Sequence, residues 1–147
     1  CKTKTESKRG VILAKESGLG WTTASRDVSG GGAGALVNCT TNVDVSIVRS
    51  TQDVTGMDKS ATERLLLLGD MSSTYTMVFN DASNKSFDVH KTIASADVTR
   101  TCTLTISGQT LANEVLLTDM ALSRGSDGSL IITGPAVLQS GTDPTWS

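Results

Sequence analysis

The sequence predicts a mainly β fold, an antiparallel sandwich or barrel with one flanking α-helix. The first observation is a strict apolar–polar alternation in NVDVSIV, where Val43, Val45 and Ile47 share one face. The same period of two returns in residues 72–79 and 98–106. The second observation is that only one segment, about 83–94, carries apolar residues at helical spacing. Turn-forming Gly, Asn, Asp and Ser separate these segments, which favours antiparallel connections.

The three clearest strands each have one apolar and one polar face. Tyr75, Met77 and Phe79 form the apolar face of the second strand, and we expect such faces to meet in the core. Residues 113–123 and 130–133 are predicted as two further strands, joined by the glycine-containing turn SRGSDGS. The alternate, polar faces of the first three strands carry Asp44 and Ser46, Thr74 and Thr76, and Thr101, Thr103 and Thr105.

The remaining segments are assigned to connections and arms. Residues 50–70 are predicted as a long loop that contains four consecutive leucines, since no period-2 pattern continues through them. The helix is expected to pack through Phe87 and Ile93. A polar N-terminal arm covers 1–10, a short apolar strand follows it, and glycine-rich loops lead up to residue 34. Pro135 and the loss of periodicity predict a C-terminal arm over 134–147.

Composition limits the classes of function. The chain has 147 residues, enough for one domain with a core of its own. Its net charge is −2, which argues against a protein that holds nucleic acid through its phosphates. No apolar run reaches membrane-spanning length. Hydrophobic residues make up 37% and aromatic residues 3%, so part of the burial is expected to come from neighbouring subunits.

Residues that could carry chemistry are few and scattered. Cys39 and Cys102 are interpreted as small buried apolar residues, because three widely spaced cysteines form neither a disulfide framework nor a zinc motif. Cys1 leaves two readings open: a removed initiator Met, or the lipid-bearing cysteine of a mature lipoprotein. His90 lies within the predicted helix with no nucleophile nearby in sequence. The expectation is no enzyme, no metal and no cofactor.

The order of these segments resembles a known family of virion proteins. DVTGMDKSATERLLLLGD, TYTMVFND before the helix, and RGSDGSL before the last strand follow one another as in the major tail tube proteins of long, non-contractile-tailed (siphovirus-type) bacteriophages. The likeness covers about residues 40–147, and type VI secretion tube proteins share the fold. It implies stacked, hexameric rings that form a genome conduit in the virion. It also implies synthesis in the host bacterial cytoplasm. The implied partners are other copies of the chain and the tail tip, tape-measure and terminator proteins, with DNA only in transit and no membrane.

The resemblance assigns roles to two groups of residues. One group, in the long loop and the N-terminal arm, is expected at subunit and ring contacts, and the polar strand faces are expected to line the lumen. Alternatives remain a different virion β-protein (capsid decoration or tail completion) and a lipid-anchored binding module that uses Cys1. The contact candidates are Lys8, Arg9, Asp53, Met57, Glu63, Arg64, Leu66 and Leu67, and the lumen candidates are Asp44, Ser46, Thr74, Thr76, Thr101, Thr103 and Thr105.

Overall fold

The structure is a computed structural model that describes residues 21–29, 31–95 and 99–147. Within these residues it is mostly β, with antiparallel strands and one short helix, as the sequence predicted. The predicted arm 1–10 and the strand after it lie outside the described residues. The elements are β1 Trp21–Asp27, β2 Ala33–Ala35, β3 Thr40–Asp53, β4 Arg64–Val78, α1 Ser86–His90, β5 Arg100–Ile106, β6 Gln109–Leu117, β7 Ala121–Arg124 and β8 Leu130–Leu138.

All eight described strands belong to one sheet. The strand order is β2-β1-β5-β6-β8-β4-β3, and β7 adds to β8 beside this path. Every pairing is antiparallel. The junction between β6 and β8 is narrow, because only Val115, Leu116 and Leu117 pair there with β8. The sheet therefore has two wider halves joined by a short ladder.

The two halves of the sheet face each other across the core. The Tyr75 hydroxyl on β4 lies 3.2 Å from the Cys102 Sγ on β5, although β8 and β6 separate these strands in the sheet. In a flat sheet the two strands would be about 14 Å apart, since neighbours lie ~4.8 Å apart. The sheet must therefore curve strongly. Its concave side holds the buried apolar cluster, which includes Leu36, Met77, Leu104 and Ile132.

The segment before residue 34 contains strands rather than loops alone. WTTASRD forms β1, which pairs with β5 along most of its length, and β2 pairs with the end of β1. The inward-facing residues of β1 are Ala24 and Arg26, both fully buried. A small residue and a charged residue give no apolar alternation, so the sequence pattern concealed this strand.

The predicted long loop at 50–70 is largely strand. β3 continues to Asp53 and β4 begins at Arg64, so the connection covers only 54–63. The two strands form one long hairpin with a register shift between Arg49 and Thr51. Such a bulge places two residues of one strand opposite one of the other and increases the local twist.

The predicted C-terminal arm begins too early, because β8 runs on through 134–138. Pro135 lies inside β8, beside Thr74 of β4. The Pro135 carbonyl accepts the Thr118 N–H at 3.2 Å. In an antiparallel strand the N–H and C=O of one residue point to the same side, so the position that lacks an N–H is on the side of β8 that faces β7 and β6. It falls between the residues of β8 that pair with β7 and those that pair with β6. Proline is tolerated there because no ladder bond is required.

The helix is shorter than the predicted 83–94 and is held differently. It spans Ser86–His90 and is followed by turns. The Ser86 hydroxyl donates to Val78 O at 2.7 Å and accepts the Asn80 N–H at 3.0 Å, which fixes the start of the helix. Phe87 packs on Phe79, with ring centroids 5.1 Å apart, but it is only partly buried. His90 and Val89 are fully buried, and Val89 lies outside the predicted stripe.

His90 is a neutral acceptor in the core. Its Nδ1 lies 2.7 Å from the Ser86 carbonyl oxygen, which can only accept, so Nδ1 carries the proton. Nε2 is then free to accept from the Arg26 guanidinium, 3.1 Å away. Burial, followed by the charge of Arg26, lowers the pKa of His90 to about 4. The imidazole therefore connects α1 to β1 without a charge of its own.

The first prediction concerns acid stability. Between pH 6.5 and about 4 the unfolded chain protonates His90 and the folded chain does not. The free energy of unfolding should therefore fall as the pH is lowered through this window, by up to ~1.4 kcal/mol per pH unit. His90→Gln keeps an acceptor but cannot titrate, so its stability should be lower at pH 7 and nearly flat from pH 6.5 to 4.5. Urea unfolding at a series of pH values measures both slopes. Equal slopes would show that His90 is not the titrating group.

The second prediction concerns the outer contact of α1. Phe87→Ala removes one ring of the Phe79–Phe87 pair and should destabilise the fold toward the lower end of the ~3–5 kcal/mol typical of Phe→Ala, since Phe87 is partly exposed. Lys85→Ala, two residues away, loses only a side-chain contact with the Ala35 carbonyl and should cost less than about 1 kcal/mol. Thermal unfolding of both variants tests the difference. Equal costs would mean that the ring pair does not hold the helix.

Candidate assembly interface

The far half of the β3–β4 hairpin projects beyond the sheet as a two-stranded ribbon. We define the ribbon as residues 47–53 and 64–70 with the connecting tip 54–63. β8 pairs with β4 only from Ser72 to Val78, so no third strand covers residues 64–70. β3 is the last strand of the sheet, so its outer edge is free as well among the described residues. The ribbon thus has two unpaired backbone edges.

Large apolar side chains are concentrated on this ribbon. Of the fourteen exposed large apolar residues in the described part of the chain, eight lie between residues 47 and 68. Leu66 is 64% exposed and Leu68 is 88% exposed. An apolar patch of this density is uncommon on a soluble monomer and is typical of an interaction surface. The eight residues are Ile47, Val48, Val54, Met57, Leu65, Leu66, Leu67 and Leu68.

The ribbon tip is held by its own hydrogen bonds. The Asp53 carboxylate accepts from both the backbone N–H and the hydroxyl of Thr55, at 2.9 and 2.6 Å. The side-chain bond, then the backbone bond, holds the pKa of Asp53 below its usual value. The Glu63 N–H donates to the Thr55 hydroxyl at 2.8 Å, and the Val54 N–H donates to the Glu63 carbonyl. A tip ordered in this way loses little further conformational entropy when a partner covers it.

The structure brings most of the predicted contact residues together. Asp53 pairs with Arg64 at the start of the tip, and Glu63 and the fully exposed Met57 belong to the tip itself. Leu66 and Leu67 lie in the strand of the ribbon that continues into β4. Lys8 and Arg9 lie outside the described residues. The other exposed apolar residues of the ribbon were not named individually as candidates; they are Ile47, Val48, Val54, Leu65 and Leu68.

The reason for these omissions is a change in environment along one strand. Val43 and Val45 pack against the core, whereas Ile47 on the same face is 42% exposed. The apolar–polar alternation of β3 continues to Ile47, although the buried core does not extend to this part of the strand. The run of four leucines was the available signal, because leucines on both faces of a strand cannot all point into one core.

The predicted lumen residues form two separate groups. Asp44 lies opposite Thr74, and Ser46 lies close by, on the convex side of β3 and β4. Thr101, Thr103 and Thr105 lie on the convex side of β5. Because the concave faces of β4 and β5 meet at Tyr75 and Cys102, these convex faces point away from each other. The two groups therefore cannot line the same wall within one subunit.

The described residues contain no arrangement typical of a catalytic or metal site. No group of three or more His, Cys, Asp or Glu side chains is placed to hold a metal ion within them. Asp127 accepts from the Ser129 N–H and hydroxyl and serves a turn that Gly128 completes with φ +90°. None of the described helices has the length and apolar character needed to cross a membrane.

Comparison with known proteins places the fold. No protein-family model matches the chain, and no match to a curated protein was found. Solved structures do match. A chain from the virion of a native gene transfer agent particle superimposes with a TM-score of 0.70 at 14% identity, over 90% of this chain and 99% of that chain. A chain from the tail of an empty gene transfer agent particle, refined with C6 helical symmetry, gives a TM-score of 0.65 at 16% identity, over 85% and 92%. The chain thus shares the fold of chains found in gene transfer agent particles.

Proposed function

We propose that this chain is a structural subunit of a phage-type tail, assembling into stacked hexameric rings that form the tail tube. The observation that carries the proposal is the projecting ribbon, whose apolar side chains are exposed in the described fold. The fold likeness supports the kind of assembly, since one matching chain belongs to a tail with C6 symmetry. The role is structural rather than enzymatic.

Burial of the ribbon against a neighbouring copy would supply much of the assembly energy. Covering a side chain such as Leu66 or Leu68 contributes roughly 1.5–3 kcal/mol. The eight exposed apolar residues lie along one ribbon, on both of its faces, so a contact on either face can cover some of them. A ring repeats this contact at every subunit boundary, and closed symmetry leaves no copy of the ribbon exposed.

The free edges of the sheet favour the same arrangement. The outer edge of β3 is fourteen residues long and lacks proline, whereas natural edge strands are usually short or blocked. Association with another copy would cover this edge and remove its tendency to aggregate. This agrees with a chain that functions as an assembly and not as a monomer.

A genome conduit also requires a wall to which DNA does not adhere. The chain has a net charge of −2, and the convex strand faces are rich in Thr and Ser. Neither feature favours phosphate binding. DNA is accordingly a molecule in transit, and the tip, tape-measure and terminator proteins of a tail are the further partners that the proposal implies.

The third prediction tests the ribbon. Leu66→Ser with Leu67→Ser should abolish rings and tubes, because it removes two apolar contacts from the interface and leaves the core cluster intact. Leu122→Ser is the matched control: Leu122 is 49% exposed on β7, outside the ribbon. Negative-stain microscopy and sedimentation velocity report assembly, and circular dichroism reports the fold. Normal tubes from the ribbon variant, or equal losses in the control, would refute the interface.

The wild-type chain in the same experiment tests the function itself. Tubes, or six-fold rings that stack when concentrated, support the proposal. Single rings that never stack would indicate a tail-completion protein, and a stable monomer or trimer would indicate a capsid decoration protein. Either of these outcomes would replace the tail tube proposal.

The fourth prediction separates the two groups of lumen candidates. Thr74→Lys and Thr103→Lys place the same charge on opposite convex faces. We expect both variants to form tubes, and only the one whose face lines the channel to hold a short fluorescent oligonucleotide in a nuclease-protected, salt-sensitive form. The other should bind it without protection. If neither variant protects DNA, neither group lines the lumen.

A further inference from the structure

The chain after β8 returns to the same edge of β6 in a second register. β8 pairs with β6 at Val115 and Leu138, and the ladder is extended by one bond from the Gln139 N–H. Pairing then resumes between Leu111 and Trp146. Four steps along β6, from 115 to 111, correspond to eight steps along the other strand, from 138 to 146. Both contacts therefore belong to one antiparallel ladder with four extra residues inserted.

The extra residues are looped out of the ladder. Residues 140–145 lie over the base of the ribbon, where a Cβ on Gly69 would come within 2.7 Å of Asp143 Oδ1. Gly141 adopts a positive φ of 69° in this loop. The loop is exposed apart from Pro144, which is half-buried.

The resumed pairing is short and weakly anchored. Thr110 and Ser147 exchange two backbone hydrogen bonds, of 2.8 and 2.9 Å, and the Ser147 hydroxyl adds one at 3.3 Å. Trp146 remains 39% exposed although it lies beside the buried Leu111. Each backbone bond contributes only about 1 kcal/mol net, so releasing this pairing costs little.

We propose that residues 146–147 are exchanged between subunits: Trp146 and Ser147 of one copy pair with the β6 edge at 110–111 of a neighbouring copy. This deepens the proposed assembly and rests on it. A second copy is the expected partner because it presents the same edge, and the segment already fits that edge in its own chain. Exchange of an identical element is a low-cost route to association.

The looped-out residues give the segment enough reach. Six residues, 140–145, can extend to roughly 20 Å. That distance spans several strand widths, which is sufficient to cross to an adjacent subunit. Pairing in the neighbour removes the need for the loop to fold back over the ribbon base. It also leaves the base of the ribbon, which the folded-back loop would cover, accessible for assembly.

Two variants, each with one added cysteine, test the exchange directly. Thr110 and Ser147 form a hydrogen-bonded antiparallel pair, whose Cα separation of about 5.5 Å suits a disulfide. Thr110→Cys and Ser147→Cys chains with different tags are mixed, assembled and oxidised. The expected product on a non-reducing gel is a disulfide-linked heterodimer, absent from either variant assembled alone. The wild-type chain, with its own cysteines, sets the background.

The double variant Thr110→Cys/Ser147→Cys provides the opposing outcome. If it closes its disulfide within one chain in assemblies, while the mixed single variants give no heterodimer, the pairing stays within the subunit and exchange is refuted. If all variants assemble like the wild-type chain, that result leaves the proposed tail function intact. If the wild-type chain itself does not assemble, the proposed function fails and the exchange fails with it.

Discussion

The fold depends on one buried cation, the guanidinium of Arg26. It lies in the core without a carboxylate partner among the described residues and is held instead by neutral groups from three other elements. It donates to the Gly134 carbonyl of β8 at 2.6 Å, to the Ser73 hydroxyl of β4 at 3.1 Å and to His90 Nε2 of α1 at 3.1 Å, and it covers the ring of Tyr75 at 3.8 Å. A buried charge is costly unless it is hydrogen-bonded, and since Nε has no partner among the described residues, the acceptors around Nη1 and Nη2 carry this requirement. Each of these elements is therefore fixed relative to β1.

This arrangement explains features that apolar packing alone would not require. A Cβ on Gly134 would come within 2.6 Å of His90 Nε2, so only glycine lets β8 approach the Arg26–His90 pair. His90 must stay neutral because a second positive charge beside Arg26 would find no acceptor. Arg100 is a second buried arginine held by neutral acceptors, and its guanidinium donates to the Val89 and Asp27 carbonyl oxygens. Arg100 thus holds α1 through the Val89 carbonyl, near the C-terminal end of the helix, and Arg26 holds it through the His90 side chain.

The same chemistry sets the limits of prediction from sequence. The fold class and the inward faces of β4 and β5 can be predicted from apolar side chains that recur at every second residue, because the buried Tyr75, Met77, Cys102 and Leu104 follow this pattern. The turn that precedes β8 can be predicted as well. β1 was missed since its inward positions are an alanine and an arginine that only tertiary contacts satisfy. The sequence predicts a loop for the first residues of β4, because the ribbon has no core on either side that would require apolar and polar side chains to alternate. From the sequence alone, Pro135 argues against a strand. β8 accommodates it because it lies between the residues that pair with β7 and those that pair with β6.

Folding and the proposed assembly consequently draw on different residues. The buried cluster contains none of the ribbon leucines, and the hydrogen bonds of the tip run from Asp53 through Thr55 to Glu63 without reaching the core. The chain can therefore fold around Arg26 without any contribution from the ribbon leucines. Its ribbon stays extended because Asp53 and Thr55 order the tip and the bulge twists the strands. The apolar residues are thus divided between a small core with a polar centre and the exposed surface of the ribbon.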